Sequence, residues 1–443
     1  MRLHLEASQK LLGDQQKLED LLINPLAQTK SGDDSIFAWH HACETARKEG
    51  KKVINATLGS MLDDTGRLST NNVVQRVLRE MDEHDYSAYA PLKGTDEFRD
   101  IAIIQTLGPS LDDLREKGMC ISSIATPGGC GALYASANTF ATPGSKVLLR
   151  DQHWMPYETI LTENKLEWEN WNSYGTVKNE SEDLMVESFK FSLENISKEQ
   201  NQTLIWLNDP AHNPTGRSFT AKARMNLLES VVNAATKNCE KGYTFLIDCA
   251  YSAYSNEKYG WSETISKMIN TNGIKNWPEN LLICFAYSAS KSHTIYGLRL
   301  GALLVLHPSK TFVERLEEIL LHTGRGTWSA APRLPQMVLE KIHTNPVIED
   351  EWNKERIKMK NLLDSRRSAF LSMAKEYEIP LYQSNEGYFS FIHCDNPIEV
   401  ATKCAERGVY VVPLSGGIRI GICAVPQTSM EKIVEVLSQV IMG

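Results

Sequence analysis

From about Tyr89 to Leu306 short apolar runs alternate with amphipathic stretches, and that rhythm restricts the chain to a mostly parallel sheet covered by helices. Thr203–Leu207, Tyr243–Ile247, Leu281–Tyr287 and Gly301–Leu306 read as buried strands, because each is short, almost wholly apolar and bounded by polar or turn-forming residues. Between the first two, Leu227, Leu228, Val231, Val232 and Ala235 recur at helical spacing. After Pro335 the texture changes. A charged helical stretch from about Ile348 to Glu378 is followed by strand-like segments, Tyr388–Phe391 and Val409–Val412, that alternate with helices. The expected architecture is α/β: a large, mostly parallel sheet with helices on both faces, plus a smaller α+β domain. Residues 1–30 form an expected N-terminal arm, with Leu11, Leu12, Leu18, Leu21 and Leu22 at roughly helical spacing. Residues 71–332 form the expected large domain, and 31–70 with 333–443 the small one. Pro332 and Pro335 mark the second boundary, since two close prolines interrupt helix and sheet alike.

Charge and hydropathy exclude several classes. The formal net charge of -8 argues against a nucleic-acid partner, and no run of 18 or more apolar residues is present to span a membrane. The first residues, Met1–Ala7, carry neither a secretion signal nor an Arg-rich transit pattern, so a cytoplasmic location is expected. Nine cysteines are scattered, Cys249, Cys284 and Cys423 among them inside apolar runs, without a CxxC pair or His/Cys ligand spacing. They read as reduced core thiols, with no metal site.

Chemistry concentrates where the strands end. Ser288-Ala289-Ser290-Lys291 follows directly on the Leu281–Tyr287 run, and Arg299 precedes the next one. A lysine there can capture an aldehyde cofactor and an arginine can hold its phosphate, and strand ends are where α/β folds bind ligands. Asp248 ends another strand and Tyr251 lies three residues on. A carboxylate on a pyridine nitrogen keeps that ring an electron sink, and a phenol can donate to a ring oxygen; a strand-end aspartate can equally cap the next element. Asn213-Pro214-Thr215-Gly216 also follows a strand, although such a tetrapeptide suits any turn. Gly128-Gly129-Cys130-Gly131 opens a small-residue helix, an arrangement that suits either a phosphate at the helix N-terminus or a tight turn into a closely packed helix.

Taken in order, Tyr89, Gly128–Gly131, Trp154, Asn213–Gly216, Asp248 with Tyr251, Ser288 to Lys291, Arg299 and Arg419 resemble the class I aminotransferases of pyridoxal-phosphate fold type I, from about Asn55 to Ile422. The resemblance implies pyridoxal 5'-phosphate as cofactor. It implies Lys291 as the lysine that carries the cofactor and later moves the substrate proton. Asp248 would pair with the pyridine nitrogen, and Asn213 and Tyr251 would bond the ring oxygen. Gly129, Cys130, Ser288, Ser290 and Arg299 would surround the phosphate, Trp154 would stack on the ring, and Arg419 would fork onto the substrate α-carboxylate.

Two further matches narrow the likeness. Tyr89-Ala90-Pro91-Leu92-Lys93-Gly94 resembles the segment whose tyrosine reaches the neighbouring subunit's phosphate, which implies a homodimer with shared sites. Arg325-Gly326-Thr327-Trp328-Ser329 is similar to the segment whose arginine binds a second substrate carboxylate; an ordinary solvated arginine near a helix end is its plainer reading. Leu58-Gly59 resembles a loop that gates the substrate. Cys130 departs from the family, which has a hydroxyl residue there, and Tyr157 stands where aspartate-type enzymes place a histidine against the aspartate. The expected activity is amino transfer from an L-amino acid, aspartate or an aromatic one, to 2-oxoglutarate by a ping-pong route. A lyase or decarboxylase on the same site is the alternative within the enzymes, and a cofactor-binding regulator is the alternative outside them.

Overall fold

The four apolar runs become neighbouring strands of one sheet in the computed structural model, which describes residues 18–32, 34–173, 182–381 and 384–441. In chain order the strands are β1 (Ile54–Asn55), β2 (Cys120–Thr126), β3 (Lys146–Arg150), β4 (Glu167–Trp171), β5 (Gln202–Asn208) and β6 (Gly242–Asp248). Then come β7 (Leu281–Ser288), β8 (Gly301–His307), β9 (Phe389–His393), β10 (Val409–Tyr410), β11 (Val412–Leu414) and β12 (Gly417–Gly421). The large sheet runs β2-β8-β7-β6-β5-β3-β4. All its pairs are parallel except those of β8, which lies antiparallel between β2 and β7. The run Gly301–Leu306 thus enters the sheet against the direction of its neighbours, because only a short excursion separates it from β7 and no crossover helix intervenes.

Every residue of β7 and β8 is buried, as a strand covered on both faces requires. Each fully buried Leu or Ile there contributes roughly 1.5–3 kcal/mol. On one side Phe245, Ile283 and Leu304 join a core with the helix Ala221–Lys237; on the other Leu246, Cys284 and Leu303 pack with the helices Gly128–Phe140 and Lys310–Thr327. Helices therefore cover both faces, as expected.

A second core forms around β11-β12-β9, with Phe370, Ile418, Ile420, Ile433 and Leu437 inside it. The N-terminal segment reaches this body through β1, which pairs in parallel with β10. The helix Arg333–His343 instead buries Val338, Leu339 and Ile342 in the large-sheet core. The next helix, Pro346–Glu376, is shared: Trp352 lies in the large-sheet core, Phe370 and Ala374 in the other. The expected boundary at 333 falls ahead of both, and we propose that the second domain begins within the long helix. Of the expected arm, Leu11 and Leu12 lie outside the described residues. Leu18, Leu21 and Leu22 are exposed, and Asn24 caps a separate short helix, Pro25–Gln28, with its side chain on the Ala27 N–H. Among the described residues no helix is long and apolar enough to cross a membrane.

Candidate active site

Parallel register brings the chemistry-bearing residues to one edge. Asn208 at the end of β5 pairs with Asp248 at the end of β6, and Asp248 pairs with Ala286 near the end of β7. The chain leaves β7 through Ser288, whose hydroxyl accepts the Ser290 N–H and starts the short helix Ala289–Ser292. Lys291 therefore projects beside Asp248, held from below by the Tyr254 hydroxyl, which donates to the Lys291 carbonyl at 3.1 Å. Its Nζ stands 5.2 Å over the Tyr251 ring. Burial lowers the Lys291 pKa, opposed by the nearby Asp248 charge, which favours the free amine that a nucleophile needs.

Asp248 is buried and accepts the Tyr157 hydroxyl at 2.6 Å and the Ala250 N–H at 3.0 Å. Burial raises its carboxyl pKa, and the Tyr157 bond, the Ala250 N–H and the Lys291 charge pull it back. Such a carboxylate is a ready partner for a cationic ring nitrogen, which would replace the lost solvation.

A second chain of contacts runs to Arg419. The Asn213 Nδ2 donates to the Tyr251 hydroxyl at 3.2 Å, while its Oδ1 accepts Arg419 Nη1 at 3.2 Å. These opposed bonds orient the amide, turning its donor side toward the tyrosine. Arg419, on β12, also donates to the Thr57 carbonyl at 2.8 Å and lies 4.5 Å over the Phe389 ring. Its buried Nε has no partner among the described residues, which leaves a guanidinium N–H for an incoming carboxylate. Gly59 sits against the same ring: an added Cβ would come 3.3 Å from Phe389 Cζ.

The phosphate side is a cradle tightest at Gly128. No side chain caps the helix Gly128–Phe140, so the N–H groups of its first turn remain available. Gly128 takes φ +74°, and a Cβ there would lie 2.5 Å from Arg299 Nη2. At Gly129 an added Cβ would meet Ser288 Cβ at 3.4 Å. Arg299 adopts φ 54°, unusual for a residue with a side chain, and its guanidinium donates to Ser290 Oγ at 3.2 Å, the Tyr296 carbonyl at 2.9 Å and Cys130 Sγ at 3.7 Å. Three uncapped N–H groups, those of Gly128, Gly129 and Cys130, one guanidinium and two serines, Ser288 and Ser290, fit a dianionic phosphate. An amine, a carboxylate and a phenol facing the same space fit an aldehyde-bearing pyridine ring. Trp154, edge-on to Tyr157 at 5.7 Å, is partly exposed beside them.

Two expected residues stand apart from the cluster. Tyr89 is 91% exposed, and Arg325, near the end of its helix, is exposed with Nη1 on Ser329 Oγ at 2.6 Å. Thr57 and Phe389, both against Arg419, were not legible as site residues. Their only signal is spatial, since Thr57 is 362 positions from Arg419.

A lysine, a buried carboxylate and a phosphate cradle at the carboxyl edge of such a sheet define a pyridoxal-phosphate enzyme of the α/β type. The family model "Aminotransferase class I and II" matches residues 51–437, and the chain belongs to that pyridoxal-phosphate-dependent family. It is 24% identical to a tyrosine aminotransferase of Rhizobium meliloti, over 89% of this chain and 95% of that one. It is 22% identical to an aspartate aminotransferase of Pseudomonas aeruginosa, over 92% and 97%. Among solved structures it is similar to an aminotransferase from Anaerococcus prevotii, with a TM-score of 0.87 and 27% identity over 94% of this chain and 98% of that chain.

Proposed function

We propose that this protein moves an amino group from an L-amino acid, aspartate or an aromatic one, to 2-oxoglutarate in two half-reactions, the first oxo acid leaving before the second substrate binds. The observation that carries this reading is the placement of Lys291, Asp248 and Arg419 around one space, with Asn213 bonded to both Tyr251 and Arg419. Pyridoxal phosphate, when bound, supplies an aldehyde that takes up the amino group and a ring that draws electrons from the substrate Cα. The protein does the rest. Arg419 holds the α-carboxylate and so fixes which bond of Cα faces the ring. Lys291 Nζ takes the Cα proton and returns it one carbon away, a task its lowered pKa suits. Asp248, held by Tyr157, keeps the ring nitrogen protonated; Tyr251 and Asn213 donate to the ring oxygen. Gly129, Cys130, Ser288, Ser290 and Arg299 anchor the phosphate, Trp154 covers the ring, and the loop at Gly59 closes over the substrate.

The exposure of Tyr89 and Arg325 supports a homodimer in which each copy lends both residues to the other's site. Nine free cysteines support a reducing compartment and a cytoplasmic location. The deciding experiment supplies a panel of amino acids with 2-oxoglutarate to wild type, Lys291→Ala and Arg325→Ala. Lys291→Ala is expected to lose turnover and the absorbance of the lysine-bound cofactor; turnover at the wild-type rate would refute the reading. Arg325→Ala is expected to lose aspartate and glutamate selectively.

A further inference from the structure

His293, two residues after Lys291, takes no part in this chemistry and is fully buried. Its ring stacks on Trp352 with centroids 4.8 Å apart. Its Nδ1 faces Ser292 Oγ at 2.9 Å, and its Nε2 faces His343 Nε2, also at 2.9 Å. The other nitrogen of His343, Nδ1, meets Glu349 Oε1 at 2.9 Å. Glu349 keeps 41% of its side-chain surface exposed and His343 3%, so the chain runs from solvent to the turn that presents Lys291. At its inner end Ser292 Oγ lies 3.3 Å from the Ser288 carbonyl.

Donor and acceptor counts fix the direction of every bond. A carboxylate only accepts, so Nδ1 of His343 carries a hydrogen, and a neutral His343 must accept at Nε2. His293 then donates from Nε2 and accepts the Ser292 hydroxyl at Nδ1. A proton added to His343 makes both of its nitrogens donors. His293 must then accept at Nε2 and donate from Nδ1, and the Ser292 hydroxyl turns to the Ser288 carbonyl. One proton at the outer end reverses the inner bonds. Gln105 Nε2, 3.4 Å from His343 Nδ1, is the longer and uncharged competitor, and the carboxylate prevails.

We propose that Glu349, His343, His293 and Ser292 form a positioning relay whose hydrogen-bond direction sets how Ser292 braces the turn carrying Ser288 and Lys291. It rests on the reading of those two residues as the cofactor's phosphate and amine anchors. The groups facing the pair come from every neighbouring element. Lys258 lies ahead of the helix Gly260–Asn272, its Nζ on Gln105 Oε1 at 2.9 Å; Glu349 and Arg356 come from the long helix; Tyr287 lies beside Ser292, with Cys249 and Tyr259 nearby. Burial lowers both imidazoles, Lys258 lowers them further, and Glu349 raises His343. Both rings are therefore neutral at neutral pH, and the reversal belongs to acid.

Nitrogen-15 NMR of the histidines in the purified protein, read beside pyridoxal-phosphate affinity from equilibrium dialysis across pH, tests the relay. At neutral pH His293 is expected as the Nε2–H tautomer and His343 as the Nδ1–H tautomer. On acidification His293 is expected to switch to Nδ1–H as His343 becomes charged, and cofactor affinity to change over the same range. Glu349→Gln, at a half-buried position, withdraws the charge that favours imidazolium and moves both transitions to lower pH. Opposite tautomers, or a Glu349→Gln variant with wild-type transitions, would overturn the relay. The tautomers are read without turnover. A protein that switches but does not transaminate refutes the proposed function and keeps the relay, and a transaminase without the switch does the reverse.

Discussion

The Tyr157 hydroxyl donates to Asp248 Oδ2 at 2.6 Å, across 91 residues of sequence, and it does so from the buried face of the helix Pro156–Glu163. A phenol differs from an imidazole in this position: it stays neutral across the working pH range and brings one hydrogen. Burial and the adjacent carboxylate push its own pKa up, so the proton stays on the oxygen. Asp248 is thus steadied by a dipole, and its charge is left for the ring nitrogen.

Replacing Tyr157 by Phe removes that dipole and leaves the carboxylate buried. A hydrogen bond to a charged group contributes about 1.5–3 kcal/mol, so the Asp248 pKa is expected to rise further and cofactor affinity to fall. Carbon-13 NMR of the aspartate carboxyls in cofactor-free protein reads the shift directly. An unchanged Asp248 titration would show that the phenol does not hold it.

The raised Asp248 pKa has a stability consequence with a definite sign. Folding favours the protonated form, so the stability this group supplies is present below the unfolded value, about 3.9, and is lost as pH rises through the higher folded value. Cofactor-free Asp248→Asn is therefore expected to melt at a higher temperature than wild type at pH 8, with the gap closing toward pH 4, while losing activity at every pH. Calorimetry at the two pH values is the measurement.

Gly128→Ala places a methyl against Arg299 Nη2 at a φ of +74°. The strained backbone costs roughly 1 kcal/mol or more, and the displaced guanidinium weakens the phosphate grip. Pyridoxal-phosphate affinity is expected to fall more than the melting temperature of the cofactor-free protein.

Arg419→Lys keeps the charge but replaces the planar fork by a single point donor and abandons either the Asn213 or the Thr57 bond. A loss of roughly 1.5–3 kcal/mol in substrate binding follows, about one to two orders of magnitude in kcat/KM. Steady-state kinetics with a fixed amino donor measures it, and an unchanged kcat/KM would remove Arg419 from the carboxylate site.

What was legible in the chain was local. Asp248, Lys291 and the Gly128 helix announce themselves because each sits where an apolar run stops, and parallel register alone then aligns Asn208, Asp248 and Ala286. Contacts between distant segments left no such trace. Phe389 reads only as an apolar residue in a strand, and His293 and His343, 50 positions apart, read as two ordinary core histidines. The prolines at 332 and 335 carry less information than their spacing suggests. Pro335 lies in the first turn of the helix Arg333–His343, where its missing N–H has no intrahelical partner to lose, so such a pair suits a helix start as well as a domain boundary.

The helix Pro346–Glu376 has 31 residues, about 46 Å of rod, with its two ends embedded in different cores. It acts as a shared spine. Heat or denaturant that loosens one end frees hydrophobic surface at the other, so both bodies are expected to melt in a single cooperative event, and a C-terminal fragment cut at the chain's prolines would carry away the anchor of the part left behind.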